Sequence, residues 1–185
     1  TNPEQDAIAA VEKEEAAWND FSKTGTEVHK IYEMVFKGES YSNPDGAKLP
    51  DEIFNKVKQQ ATKLKQQLLQ KHGNTAKFYT EFGIISKELN SDIKEQLSTA
   101  NLNSINGKID LLVVDQYGKA HIYDFKVSRH DVGDWTQNTN AVTSNLKWWH
   151  STKKRNAALQ LAFYAKLLQQ YGVDVVSTSI IPIKT

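Results

Sequence analysis

Residues 105–128, "INGKIDLLVVDQYGKAHIYDFKVS", constrain the fold more than any other stretch, because a tight turn in their middle sets which side chains meet. β-Branched and aromatic residues flank "DQYGK" on both sides, the pattern of two strands joined by a short turn. Gly118 suits the left-handed position of a three-residue hairpin loop, a type I turn closed by a glycine bulge. Asp115 then pairs with Lys119. Counting outward, Ile122 faces Leu112 and Asp124 faces Asp110, with Lys126 two residues further on the same face. That face also carries Leu112, Val114, Ala120 and Ile122, and the other carries Ile109, Leu111, Val113, Tyr123, Phe125 and Val127. Both faces are therefore covered and the hairpin is central. A two-residue loop at Tyr117 and Gly118 would instead shift the register by one and carry Asp110 to the opposite face.

Two carboxylates opposite each other on a covered ladder repel, and burying them unpaired costs several kcal/mol or shifts their pKa values until they neutralise. A divalent cation compensates naturally, since carboxylate and carbonyl oxygens are the ligands that Mg²⁺ and Mn²⁺ prefer. A local ion pair of Lys126 with one aspartate, solvated at a sheet edge, is the other reading of the same residues.

Elsewhere the hydrophobic period predicts helices over about Pro3–Phe21, over "TGTEVHKIYEMVFKG" behind a Thr24–Glu27 capping box, and over "PDEIFNKVKQQATKLKQQLLQKHG" up to Gly73. "AKFYTEFGIISKEL" predicts a strand beside the hairpin. Arg129–Thr152 reads as a long loop or short helices. "KKRNAALQLAFYAKLLQQYG" restores the helical period before a last strand near Val175–Ile183. The expected order is αααβββαβ.

With 185 residues, 39% hydrophobic and 24% charged, the chain suits one domain spanning 1–185. It opens abruptly at "TNPEQ" and closes on an apolar strand, so excision from a longer polypeptide with further domains is expected. No apolar run approaches the ~20 residues of a membrane span, and no secretory signal opens the chain. A cytoplasmic setting follows as an expectation. The absence of cysteine excludes disulfides, thiolate zinc sites and cysteine-held iron–sulfur clusters. The net charge of +1 hides an uneven distribution. Residues 1–20 hold six acids against Lys13 alone, whereas none occurs from Trp135 through Val173, where Lys147, Lys153, Lys154, Arg155 and Lys166 sit. Such a stretch meets a polyanion or forms a solvated basic face.

"NGKID" followed by "YDFK" resembles the Gly-x-x-Asp then Asp-x-Lys signature of the PD-(D/E)XK nuclease superfamily, with Ile109 where the name-giving proline often stands. "TGTEVHKIYE" resembles the early Gly-x-x-x-His helix of its RecB-like branch, which includes the Cas4 and AddB-type nucleases, and "LQLAFYAKLL" resembles that branch's later Gln-x-x-x-Tyr helix. The three motifs stand in the family's order and, with the elements between them, cover about Thr24 to Ile183.

The resemblance implies an α/β, restriction-endonuclease-like core, a central mixed sheet flanked by helices. It implies that Asp110, Asp124, His29 and the carbonyl of Phe125 bind Mg²⁺ or Mn²⁺, and that Lys126 orients or helps activate the attacking water. Gln160 and Tyr164, one turn apart, would hold the water or a phosphate oxygen. Glu81 matches the glutamate often found on the family's first strand. Each has a plainer reading alone: His29 as a core-edge histidine, Gln160 and Tyr164 as polar tips of an apolar helix, Glu81 as an exposed strand residue. The iron–sulfur cluster of many Cas4-type relatives is excluded here. The implied activity is metal-assisted phosphodiester hydrolysis in recombination, repair or phage DNA processing, on single-stranded DNA or DNA ends. Trp148 and Trp149 would stack on unpaired bases while Lys147, Lys153, Lys154 and Arg155 meet phosphates; the tryptophans equally suit packing of the loop onto the core. An RNA endonuclease of the cap-snatching type and a nucleic-acid-binding module without activity are the alternatives.

Overall fold

The computed structural model describes residues 23–39, 49–86, 106–128, 137–141 and 150–185, with the backbone alone for 128, 137–141 and 150–155. The helix expected over Pro3–Phe21 lies outside the described residues. Helix α1 covers residues 23–37 and stops at Gly38, whose φ of 77° a side chain would resist. Residue 23 is already helical, so Thr24 is not the boundary that the capping box suggested. The Glu27 carboxylate pairs with Lys30, 2.9 Å away and three residues on.

Helix α2 (Asp51–His72) begins after Pro50 with Asp51 and Glu52 in its first turn, and ends where Gly73, at φ 97°, returns its N–H to the Leu69 carbonyl. Its buried residues Phe54, Val57, Ala61 and Leu68 follow the helical period and face α1 and the sheet. Lys65 reaches across to α1 and donates to the carbonyls of Val35 and Phe36 at 2.9 and 3.0 Å. These are terminal carbonyls that the helix cannot satisfy itself.

The remaining elements are strands β1 (Lys77–Ile85), β2 (Asn106–Val114), β3 (Ala120–Ser128), β4 (Gln137–Ala141) and β5 (His150–Thr152), helix α3 (Lys153–Gln169) and strand β6 (Val175–Lys184). One sheet has the order β1-β2-β3-β6, antiparallel except for the parallel β3–β6 pair. A parallel pair needs a long crossover, and α3 lies on it. Strands β4 and β5 form a separate antiparallel pair, a correction to the loop or short helices expected over Arg129–Thr152. Their sequences "QNTNA" and "HST" carry no apolar alternation, so nothing in the periodicity announced them.

The central turn is the three-residue one. Asp115 donates its N–H to the Lys119 carbonyl at 2.9 Å, Gly118 donates to the Asp115 carbonyl at 3.0 Å, and Gly118 has φ 78°. Leu112 accordingly pairs with Ile122, and Leu111 with Tyr123. Two apolar layers result. Leu111, Val113, Tyr123 and Phe125 pack against α1 and α2, while Leu112, Ala120 and Ile122 pack with Leu161, Tyr164 and Leu168 of α3.

Ile109 departs from the expected alternation, for it packs on the α3 side with Leu112. On the neighbouring strand Phe78 lies on the α1–α2 side but Phe82 and Ile84 on the α3 side. The side-chain parity of both strands therefore reverses between these positions, at Glu81 and Asp110. A strict period of two cannot reveal such a reversal, because it requires a backbone irregularity in both strands at one level. Past this point Gly107 lies so close to the Tyr164 ring that a Cβ there would enter the ring's van der Waals envelope. The architecture is the α/β, restriction-endonuclease-like core, and no helix among the described residues is long and apolar enough to cross a membrane.

Two stability predictions follow from these contacts. Gly107→Ala should cost about 1–3 kcal/mol in urea denaturation, since the buried ring must shift; an unchanged midpoint would show that the approach is not tight. Lys65→Met should cost about 1–2 kcal/mol by leaving two carbonyls without their charged donor. An equal loss in a Lys65→Arg variant, which keeps the donor, would contradict that origin.

Candidate active site

Pairing between β2 and β3 stops at Leu111–Tyr123. One step further the register puts Asp110 opposite Asp124, where two carboxylates repel. Here the Phe125 N–H donates to Asp110 Oδ2 at 2.7 Å, so a side chain takes the place of a backbone carbonyl. The N–H and C=O of one strand residue point to the same side, which directs the Phe125 carbonyl toward the same gap.

On the other flank of β2, the pairs Thr80–Leu111 and Phe82–Ile109 bracket an unpaired level that holds Glu81 and Asp110. Glu81 adopts φ 51°, a left-handed conformation costing a residue with a side chain roughly 1–3 kcal/mol. Glu81, Asp110 and Asp124 thus stand at one level of three adjacent strands. Lys108, two residues before Asp110, forms an ion pair with Glu81.

Helix α1 brings the histidine. The rings of Tyr32 and Phe36 pack on Phe125 with centroids 4.7 and 6.3 Å away, and His29, one turn earlier, meets the same ring edge-on at 6.1 Å. His29 Nδ1 lies 3.6 Å from Asp110 Oδ1. One donor atom from each of His29, Glu81 and Asp110 falls within 4.8 Å of the others. Lys126 Nζ sits 3.0 Å from Asp124 Oδ1 and 2.7 Å from Oδ2, but only the contact to Oδ1 has the direction of a hydrogen bond. Asp124 Oδ2 is buried without one.

The electrostatics follow from this crowding. Burial pushes the Asp124 pKa up and Asp110 adds to the rise, against the opposing pull of Lys126 and His29. Burial opposes charge on the His29 ring, yet the hydrogen bond and charge of Asp110, with Glu81, leave its pKa raised. Tyr32, buried beneath the site, is pushed up to about 12 by desolvation. Three acids, a histidine and a lysine therefore crowd one level of the sheet, with one carboxylate oxygen lacking a directed partner.

Of the residues expected from sequence, the structure gathers Asp110, Asp124, Lys126, His29 and Glu81 at this level, with the Phe125 backbone among them. Gln160 Nε2 donates to the Tyr164 hydroxyl at 2.8 Å. Their helix sets the Tyr164 ring over Gly107, three residues along β2 from Asp110. No hydrogen bond or ion pair among the described residues links that pair to the carboxylates. Lys147, Trp148 and Trp149, and the side chains of Lys153, Lys154 and Arg155, lie outside the described residues. Sequence reasoning missed Lys108, although its place two residues before Asp110 on one strand was a usable signal.

No curated protein and no solved structure matches the chain. The family model of the PD-(D/E)XK nuclease superfamily matches residues 7–182, a span that includes every residue of the carboxylate cluster described above. The acids at one level of three strands, the neighbouring lysine and this near-complete match agree, and the chain belongs to the PD-(D/E)XK nuclease superfamily.

Proposed function

We propose that this chain is a Mg²⁺- or Mn²⁺-dependent deoxyribonuclease of the RecB-like kind, acting on single-stranded DNA or DNA ends. Membership of the superfamily carries the class of chemistry, metal-dependent nuclease activity. The observation that carries the site assignment is the level shared by Glu81, Asp110 and Asp124 beneath His29, with Asp124 Oδ2 buried and lacking a hydrogen bond. Such an oxygen fits a divalent cation. Asp110, Asp124, His29 and the Phe125 carbonyl would hold it, with Glu81 in reach, and the oxygen-rich donor set suits Mg²⁺ or Mn²⁺. When bound, the ion supplies Lewis-acid polarisation of the scissile phosphate and neutralises charge in the transition state.

The chain's own residues do the rest. Lys126, the most solvent-facing group of the pair with Asp124, holds the attacking water or a phosphate oxygen in line with its ammonium. Water oxygen bonds to phosphorus as the bond to the leaving sugar oxygen breaks, the water's proton passing to solvent and the sugar oxygen taking one up, so no covalent enzyme intermediate forms. Gln160 and Tyr164 steady a phosphate oxygen or the water from α3. Lys147, Lys153, Lys154 and Arg155 meet phosphates, and Trp148 and Trp149 stack on unpaired bases. The His29 helix together with the Gln160–Tyr164 pair favours the RecB-like assignment and a DNA substrate in recombination, repair or phage DNA processing.

Incubating the protein with EDTA, Mg²⁺ or Mn²⁺ on end-labelled single-stranded DNA, duplex DNA and RNA tests this reading. DNA should be cut only with the metal, with activity lost in Asp110→Asn and reduced about 100-fold or more in Lys126→Ala. Cutting of RNA alone would sink the DNA assignment, and binding without cutting would sink the enzyme.

A second test needs no activity. Because folding raises the Asp124 pKa, the ionised carboxylate favours the unfolded chain above its folded value, and this penalty fades as pH falls through that value and is gone by about pH 4, the ordinary range of a free carboxylate. Asp124→Asn should therefore melt above the wild type in EDTA near neutral pH, with the gap closing in acid. Added Mg²⁺ should raise only the wild type. A variant that melts lower in EDTA would mean that the carboxylate is not a stored charge awaiting a cation.

A further inference from the structure

At the turn end of the central hairpin a second group of metal-binding side chains converges. One donor atom from each of His72, Asp115 and His121 lies within 4.8 Å of the others. They come from three places: the last turn of α2, the hairpin turn and the start of β3. Asp115 is five residues beyond Asp110, which at about 3.4 Å per residue puts it roughly 17 Å from the nuclease level. The two clusters share no residue.

His72 has one ring nitrogen engaged outside the cluster, and His121 and Asp115 each have one polar atom engaged outside it and the other with each other. His72 Nε2 is 2.7 Å from the Tyr123 hydroxyl, and His121 Nδ1 is 2.7 Å from the Ser177 hydroxyl. Asp115 Oδ1 accepts the N–H groups of Tyr117 at 2.8 Å and Lys119 at 2.9 Å. Asp115 Oδ2 turns inward to His121 Nε2, 3.0 Å away. The two imidazole rings lie with centroids 4.0 Å apart and planes tilted by 43°, and both histidines are buried. An outer hydrogen-bond partner that holds the ring's orientation is what metal-bound histidines have, and the Tyr123 and Ser177 hydroxyls serve as one for each ring.

We propose that His72, His121 and Asp115 form a second metal site that takes Zn²⁺, with the fourth position open to water. Two imidazoles and a carboxylate are a zinc-type donor set, whereas the oxygen-rich nuclease cluster prefers a harder cation. The chemistry of the ligands therefore sorts two metals between the two sites. Bound there, zinc clamps the end of α2 to the hairpin turn, a junction otherwise tied by the Gln116 N–H donating to the His72 carbonyl at 3.1 Å.

The test uses the whole chain carrying Asp110→Asn and Asp124→Asn, which disables the nuclease cluster. After stripping with EDTA, it is titrated with Zn²⁺ against a chromophoric chelator and melted with and without the metal. The proposal expects about one zinc per chain, a rise in melting temperature, and at least a roughly 100-fold loss of affinity in His72→Gln with His121→Gln and in Asp115→Asn. Because the histidine variants can fail to fold, Co²⁺ is also added to the protein that retains both histidines. A four-coordinate visible spectrum supports the site, and a six-coordinate one overturns it. Failure to bind zinc in the Asp110→Asn, Asp124→Asn background, or zinc retained after the histidines are replaced in a chain with native circular dichroism, also overturns it.

Discussion

The hydrogen bond from the Phe125 N–H to Asp110 Oδ2 is the contact on which the rest of the site depends. It replaces one rung of the β2–β3 ladder with a carboxylate and leaves the strands apart where two acids would otherwise be pressed together. A buried backbone N–H cannot go unpaired without cost, so Asp110 is held in place by a demand of the backbone itself. The direction of that N–H turns the carbonyl of Phe125 toward the same gap.

Around that opening the fold spends local stability on geometry. Glu81 takes a left-handed conformation, and the parity of β1 and β2 reverses at its level. Asp124 is buried with a raised pKa. Each of these is unfavourable alone, and their coincidence at one level of the sheet is the mark of a site rather than of packing. The aromatic contact of Tyr32 and Phe36 with Phe125 holds α1, and hence His29, against the strained region. Lys65 secures the far end of the same helix.

The two ends of the hairpin have different chemistry. At one end hard oxygen donors gather around a single histidine; at the other two imidazoles and one carboxylate are each oriented by a hydroxyl or by the turn backbone. Both clusters are built on β3, one around Asp124 and one around His121, and the buried side chain of Ile122 and the ring of Tyr123 lie between them. That packed segment keeps the two polar regions separate.

Much of this was legible in the residues. The register of the hairpin followed from "DQYGK", because a turn of three residues with glycine at the left-handed position is a local choice. The register in turn brought Asp110 and Asp124 together, and helical periods placed His29, Gln160 and Tyr164. What only the tertiary structure decided depends on groups distant in the chain. The end of the ladder at Asp110, the reversal of Ile109 to the α3 side and the left-handed turn of Glu81 have no signature in an alternating pattern, since each arises from neighbours on another strand. His72 meets Tyr123 across 51 residues, and His121 meets Ser177 across 56. Periodicity records which face a side chain occupies as long as the strand keeps its alternation, but only folding determines where that alternation breaks and which other side chain a residue finds across the chain.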